Sequence, residues 1–152
     1  MTYLEDLESD LRAKKDRTEE LDELFQLSFL GDAETKNKVS WCVAKMAQNK
    51  IEDLRIIDIL ITMTGSPNAE IRENVAWGIG EAAGYGMCDD RCINAVKELL
   101  SDSSETVRGT AVWAAGRIII RTDQDDGYLK SKLESMENDP SDYVRKAVEF
   151  AL

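Results

Sequence analysis

The residues of this chain that first invite a chemical reading are its cysteines and one acidic run. Cys88 and Cys92 are separated by three residues, whereas a redox pair usually has two intervening residues and a zinc site needs four ligands. In the run DQDDG at residues 123–127, a calcium loop with Gly127 at its sixth position would place Leu133 at the twelfth, where glutamate is needed. We therefore expect free thiols, a solvated loop and no metal site.

Composition removes several classes of function. The 152 residues include no histidine, which excludes Ser–His and Cys–His catalysis and His-ligated zinc or iron sites. The 30 acidic residues outnumber the 19 basic ones and give a net charge of −11. Because unaided binding to duplex nucleic acid or to an anionic membrane needs clustered Lys and Arg, this balance argues against both partners. We predict no catalytic residue and no cofactor.

The start of the chain and its cysteine count predict a compartment. Residues 1–30 are charged throughout and contain no apolar segment of the kind found in a signal peptide. The three cysteines form an odd set, which favours free thiols in a reducing environment. We expect a cytoplasmic protein.

Three tryptophans form the most informative pattern. Trp41, Trp77 and Trp113 follow one another at intervals of 36 residues. At about 100° per residue of helix, Trp113 lies roughly 140° from the direction shared by the apolar residues around it. The other two tryptophans have the same phase, and Phe150 continues it. A core tryptophan would have apolar neighbours along its helix, so these rings either line a binding groove or lie across it and cover small residues of adjacent helices.

The positions around these rings are less acidic than the rest of the chain. Four basic residues and only two acids, Glu73 and Glu81, flank them. Aromatic rings with scattered cations suit an extended peptide, an acidic helix or an aromatic ligand. The predicted binding residues are Trp41, Trp77, Trp113, Phe150, Lys38, Lys45, Asn74, Glu81, Thr110, Arg117 and Lys146.

A helical repeat must position these side chains. Glycine and proline are scarce, at 9 and 2 residues, and apolar residues recur with helical spacing. Arg72, Arg108 and Arg145 each follow Val or Ile and precede an aromatic residue by five positions, and they are 36 and 37 residues apart. A divergent earlier copy contains Trp41. A period of roughly 35–45 residues with two helical patterns indicates a helical solenoid.

The period divides the chain into helix pairs. We predict a single domain at 1–152, with a capping helix at 1–16 and repeats at 17–49, 50–84, 85–121 and 122–152. Residues 1–30 carry −5 of the net charge, so the first helix is very acidic; a docking helix for a basic partner is the alternative to a cap. We expect the first helices of the repeats to bury Ile57, Leu60, Met63, Ile93, Val96, Leu99, Leu129, Leu133 and Met136.

The second helices have recognisable start signals. Asp102 with Glu105 fits a capping box, in which the first side chain accepts from free amides and the second reaches back. Ser66 and Asp139 each precede a proline, which predicts a capping residue followed by proline at the first helical position.

The motif Val/Ile-Arg-x-x-Ala/Val-x-Trp-Gly/Ala-x-Gly resembles HEAT-like repeats of the phycobilisome-lyase type, over nearly the whole chain after residue 20. The resemblance implies an all-α fold, a short right-handed α-solenoid of about four HEAT-like helix pairs with an acidic N-terminal capping helix. In such proteins the second helix of each repeat usually lines the concave, ligand-facing surface, and the motif arginine commonly pairs with an acid at a repeat junction. The first repeat departs from the pattern, with Lys36 in place of arginine.

These observations predict a non-catalytic scaffold that binds a protein or extended peptide in a groove lined by a Trp ladder. The resemblance leaves two alternatives open. One is a bilin- or cofactor-handling lyase-like subunit whose tryptophans flank a flat ligand. The other is a repair-type enzyme that handles a nucleic-acid base with a carboxylate such as Glu73 or Glu81. A hydroxylase of the deoxyhypusine type is excluded, because its paired His–Glu metal ligands have no counterpart here.

Two further expectations concern structure. Arg72 and Arg108 lie at the edge of the core face and are predicted to reach Asp102 and Asp139 across the repeat junctions, whereas Arg145 has no following repeat and is expected to be free. The last helix ends FAL without a polar cap, which predicts self-association, domain exchange or partner docking through the C-terminal end.

Overall fold

The computed structural model describes residues 2–121 and 127–152, so the acidic run at 123–126 and its loop assignment lie outside the described residues. Within these ranges the chain forms helices and no strand. Short 3-10 helices at Thr18–Glu20 and Met136–Asn138 accompany nine α-helices. These are α1 (Tyr3–Arg12), α2 (Leu21–Leu30), α3 (Ala33–Gln48), α4 (Arg55–Thr62), α5 (Ala69–Ala83), α6 (Asp90–Leu99), α7 (Glu105–Arg121), α8 (Tyr128–Ser135) and α9 (Asp142–Ala151).

The helices form two layers. Helices α1, α3, α5, α7 and α9 are successive neighbours in one layer, while α2, α4 and α6 are neighbours in the other and α8 packs against α7. The pairs α2–α3, α4–α5 and α6–α7 pack directly, and α8 is joined to α9 through the 3-10 helix Met136–Asn138, which contacts both. The chain thus forms four successive helix pairs, and the prediction of an all-α short solenoid is confirmed. The single-domain assignment and the exact repeat bounds remain predictions. Among the described residues no helix combines the length and apolar character needed to cross a membrane.

The core lies between the layers, where the helical periodicity placed it. The nine apolar residues expected in the first helices are at most 6% exposed. In α7 the residues Val107, Ala111 and Ile118, which share one face at helical spacing, are fully buried. Leu4, Leu7 and Leu11 of α1 are buried as well, in the layer where α1 neighbours α3. Helix α1 therefore closes the flank of the first pair and leaves its acids outside.

Two of the predicted helix caps are wrong by two residues. Helix α5 is capped by Asn68, whose side chain accepts the N–H of Glu70, rather than by Ser66. Helix α9 is capped by Ser141, and Asp139 lies outside the helix. The proline that follows Ser66 or Asp139 is thus not the first helical residue. The side chains of Asn68 and Ser141 cap well, so each helix starts at the later signal.

The predicted capping box at Asp102 is also wrong. Helix α7 begins at Glu105, and the Asp102 carboxylate accepts the N–H of Ser104 in the turn before the helix. The physical reason is competition for the carboxylate. Its two oxygens also accept hydrogen bonds from Arg72 of the preceding repeat, at 2.7 and 3.0 Å, so Asp102 holds a repeat junction together instead of capping a helix.

The junction arginines are confirmed where a following repeat supplies an acid. Arg108 donates from Nε and Nη2 to Asp139 at 3.0 and 3.1 Å, just as Arg72 does to Asp102. Burial raises the pKa of Asp102 and of Asp139, but hydrogen bonds from the arginines and from backbone N–H groups outweigh it, so both pKa values lie below the usual value. Arg145 is not free as expected, since it donates to the Asp139 carbonyl at 2.6 Å and pairs with Asp142 at 3.5 Å.

A second arginine ladder, which was not predicted from the sequence, runs along the other layer. Arg55 binds Asp53 and reaches back to Asp22 at 3.1 Å. Arg91 binds Asp89 and reaches back to Asp58 at 2.6 Å. The signal was present as the pattern Asp-x-Arg repeated after 36 residues. These pairs are much more exposed than the junction pairs, so they contribute less to stability.

Candidate functional site

The three tryptophans lie on a partly exposed side of α3, α5 and α7. We call this side the tryptophan face. Trp41 and Trp113 also pack against the hydrophobic core. The ring centroids of Trp41 and Trp77 are 6.2 Å apart, with the rings inclined by 54°. The ring of Trp113 lies against Gly80 of the preceding repeat, so closely that a Cβ on Gly80 would be 2.2 Å from it. The rings therefore lean toward preceding helices, which supports the stacking interpretation without covering the rings completely.

A cation lies over the ring at each end of this row. The guanidinium of Arg117 is 5.2 Å from the ring centroid of Trp113, and its Nε donates to the Gly80 carbonyl at 2.8 Å. The guanidinium of Arg12 is 4.4 Å from the ring of Trp41. Such contacts stabilise both partners. Arg12 was not predicted, because it belongs to the capping helix and no repeat period relates it to the tryptophans.

The remaining predicted residues have separate roles in the structure. Asn74 donates to Ser40 Oγ at 3.0 Å, so it joins α5 to α3. Lys38 pairs with Glu5 and Glu34, and Lys146 pairs with Asp142. Lys45 donates to Gln48, Thr110 donates to the Thr106 carbonyl, and Glu81 is partly buried on α5. Half of the four predicted groove cations are therefore already neutralised by neighbouring carboxylates.

A cavity of about 500 Å³ opens between α7 and α9, beside the last tryptophan. We call it the α7–α9 cavity. It brings together four of the predicted residues, Thr110, Trp113, Arg117 and Phe150, whereas Trp41 and Trp77 lie outside it. Its lining consists of Gly109, Thr110, Trp113, Gly116, Arg117, Ile120, Tyr143, Ala147, Phe150 and Ala151.

The walls of this cavity are held by close contacts between the two helices. Tyr143 lies over Gly109, where a Cβ would be 2.2 Å from its ring. Ala151 lies against Gly116. Phe150, in contrast, is 95% exposed. Sequence reasoning missed Tyr143 and Ile120, because only contact across α7 and α9 reveals that they share a wall.

The cysteines are free thiols in the structure. Burial raises the pKa of Cys42 to about 12, as suits a packing residue. Hydrogen bonding to Cys92 and burial raise the pKa of Cys88, whose Sγ also donates to the Ile79 carbonyl. No group of three or more potential metal-ligating side chains occurs in the part of the chain that the structure describes.

Comparison with known proteins places the chain in a family. The sequence pattern of HEAT repeats matches residues 55–152. A designed armadillo repeat protein, solved in complex with the peptide (KR)4, superimposes with a TM-score of 0.71 at 20% identity, covering 97% of this chain and 67% of that one. A search of curated proteins finds no significant match. The structural likeness supports the fold alone, but the family pattern spans well over half of the sequence. This chain belongs to the HEAT-repeat family.

Proposed function

We propose that this chain is a non-catalytic scaffold that binds an extended segment of a partner protein along the tryptophan face. The α7–α9 cavity is the observation that carries the proposal. It is a preformed, largely apolar recess beside Trp113, in a protein whose other large apolar residues mostly lie in the core. Apolar recesses with a few polar groups are the usual form of a binding site. The designed armadillo protein of the same fold was solved with a bound peptide.

The residues of the tryptophan face have the properties of interface anchors. Tryptophan, tyrosine and arginine are the residue types most enriched at binding hot spots. The ring of Trp113 is already seated against Gly80 and covered on one side by Arg117. A ring held in this way loses little conformational freedom when a partner binds, so more of the contact energy appears as affinity. Arg117 and Lys45 add charge for orientation.

The end of α9 supports a weaker contact between copies of the chain. Phe150 on α9 and Leu152 directly after the helix are 95% and 51% exposed, and exposed apolar groups of this kind favour association. We propose that, at high concentration, a second copy of the chain competes with the partner segment for the surface around Phe150. Sedimentation velocity from low to high protein concentration tests it: reversible self-association should appear in the wild type and disappear in Phe150→Ser. A strictly monomeric wild type would contradict this part of the proposal.

Affinity capture with matched variants tests the scaffold function. Immobilised wild type, Trp77→Ala, Trp113→Ala and Phe29→Ala would be compared by quantitative mass spectrometry of retained proteins. Phe29 is an exposed aromatic residue of α2, in the other layer, so it serves as the control. We expect specific partners to be lost from both tryptophan variants and kept by Phe29→Ala, with circular dichroism showing all four proteins folded. Retention of the same partners by every variant would place the binding surface elsewhere.

Two additional measurements separate the scaffold from the alternatives that the resemblance leaves open. A bilin-handling subunit would bind free bilin and shift its visible absorption spectrum, and this shift would be lost in Trp113→Ala. A base-handling enzyme would bind DNA with an affinity that falls steeply with salt. We expect neither effect, because the net charge is −11 and Arg117 is the single charged residue that lines the α7–α9 cavity within residues 2–121 and 127–152.

A further inference from the structure

We infer that the α7–α9 cavity takes one aromatic side chain of the partner segment, and that Arg117 binds an acidic residue next to it in the partner's sequence. This inference rests on the proposed function and names the chemistry of the partner. It is carried by three features: a repeat position where alanine replaces an aromatic ring, the apolar walls of the cavity, and a positioned guanidinium.

The replacement of an aromatic ring by alanine follows from comparing successive repeats. Gly80 of α5 is covered by the ring of Trp113 from the next repeat. Gly116 of α7 comes 36 residues after Gly80, and Phe150 of α9 comes 37 residues after Trp113. Phe150 does not cover Gly116 in the same way, because it is 95% exposed and Gly116 instead meets Ala151. A position that an aromatic ring covers in one repeat is thus covered by the small side chain of Ala151 in the next, and the α7–α9 cavity lies beside it.

The walls of this cavity suit an aromatic guest. The cavity of about 500 Å³ is bounded by Trp113, Ile120, Tyr143, Ala147 and Phe150. Ligand pockets in proteins are typically about 300–1,000 Å³, so the cavity has room for an aromatic side chain with its neighbouring residues. Ile120 is 76% exposed, so a guest here would remove apolar surface from water. Aromatic pairs contribute more than the buried area alone when their rings meet edge to face or offset.

Charge complementarity selects the neighbour of that aromatic residue. Among the residues that the structure describes, Arg117 is the only charged one in the cavity lining. No carboxylate of the described residues lies within ion-pair distance of Arg117, whereas Arg72 and Arg108 each bind one. Its Nε bond to the Gly80 carbonyl and the contact of Nη2 with Gly84 hold the guanidinium in place. A fixed guanidinium binds carboxylates in preference to other groups, so the expected partner residue is Asp or Glu.

A set of three labelled peptides tests the inference by fluorescence anisotropy with the full chain. The first is Gly-Ser-Asp-Phe-Asp-Ser-Gly, the second has Ala for Phe, and the third has Lys for both Asp residues. We expect the first to bind about tenfold more tightly than either of the others, since loss of a buried anchor commonly costs at least that factor. Arg117→Gln should abolish the preference for Asp over Lys and keep the preference for Phe over Ala. Arg91→Gln, a change in the other layer, should alter neither.

Each contrary outcome has a distinct meaning. Equal binding of the Phe and Ala peptides would overturn the aromatic guest, and equal or tighter binding of the Lys peptide would overturn the role of Arg117. Exclusion of the first peptide by a stable dimer, relieved in Phe150→Ser, would assign the cavity to a second copy and overturn the inference. If these results came with partner capture that still depended on Trp77 and Trp113, the scaffold function would stand and only the guest chemistry would be wrong.

Discussion

Arg108→Ala is the sharpest test of which residues build the scaffold. The Arg108 side chain makes two hydrogen bonds to the Asp139 carboxylate and also donates to the Asp102 carbonyl at 3.0 Å. It thereby joins the turn before α7 to the turn before α9. A fourth bond goes to the Ser103 carbonyl at 3.3 Å. Truncation removes all four bonds and leaves the Asp139 carboxylate with the N–H of Ser141 as a hydrogen-bond partner.

The magnitude follows from how far the pair is buried. The side chains of Arg108 and Asp139 are 16% and 9% exposed. Breaking a fully buried pair costs about 3–5 kcal/mol and losing a surface pair costs about 0–1 kcal/mol. The remaining N–H bond and the residual solvent access place this pair between these limits. We expect Arg108→Ala to lower the free energy of unfolding by about 2 kcal/mol, which corresponds to a melting point lower by about 4–8 °C.

Urea denaturation followed by far-UV circular dichroism measures this loss, with Arg91→Ala as the matched control. Arg91 also binds an aspartate with two nitrogens, but its side chain is 44% exposed, so its removal should cost less than about 1 kcal/mol. A double-mutant cycle with Asp139→Asn isolates the pair itself. The affinity for a captured partner should be unchanged by Arg108→Ala at temperatures where the protein stays folded.

Two results would refute the conclusion that Arg108 stabilises the scaffold and takes no part in partner binding. One is a loss of stability in Arg108→Ala no larger than in Arg91→Ala, which would mean that burial does not strengthen the junction pair. The other is abolished partner binding by an Arg108→Ala protein of unchanged melting temperature.

Three further predictions concern the packing of Trp113 on Gly80, the stability of the protein in acid and the accessibility of a buried thiol. Gly80→Ala should lower the free energy of unfolding by about 1–3 kcal/mol and shift tryptophan fluorescence, because the added Cβ would clash with the Trp113 ring. Unchanged stability in urea denaturation would contradict the close packing of Trp113 on Gly80. The free energy of unfolding should fall as the pH drops below about 4, because the lowered pKa values of Asp102 and Asp139 mean that unfolding takes up protons there; Asp139→Asn should flatten this dependence in acid titrations, and an unchanged slope would contradict it. Cys42 should react with a disulfide reagent only after unfolding, since it is buried and its pKa is raised to about 12; rapid labelling of this residue in the native protein, located by mass spectrometry, would contradict its packing role.

The sequence predicted the fold well because periodic features repeat for physical reasons. Each helix must bury one stripe, and each junction must hold the next repeat at the same distance. Arg72 and Arg108 recur after 36 residues because the acids that they bind recur after 37 residues, at Asp102 and Asp139. A period in one partner with a matching period in the other indicates contact, and the hydrogen bonds confirm it.

Local signals were less reliable where one residue type serves two purposes. An aspartate a few residues before a helix is typical of a cap, but it is equally suited to bind an arginine from the preceding repeat. Asp102 does the latter, and its remaining hydrogen bond goes to the turn at Ser104 rather than to the helix. The choice depends on a side chain 30 residues earlier in the chain, so no window around Asp102 could reveal it.

The cavity could not be predicted at all, because it arises where two repeats differ. Helical phase placed Trp113 and Phe150 on the same face, and in the structure they do line one recess. Helical phase does not determine whether an aromatic ring packs against a glycine of the preceding repeat. Trp113 covers Gly80, while Phe150 stands exposed with Ala151 against Gly116. Periodicity describes what the repeats share, whereas this cavity depends on positions at which α5–α7 packing and α7–α9 packing differ.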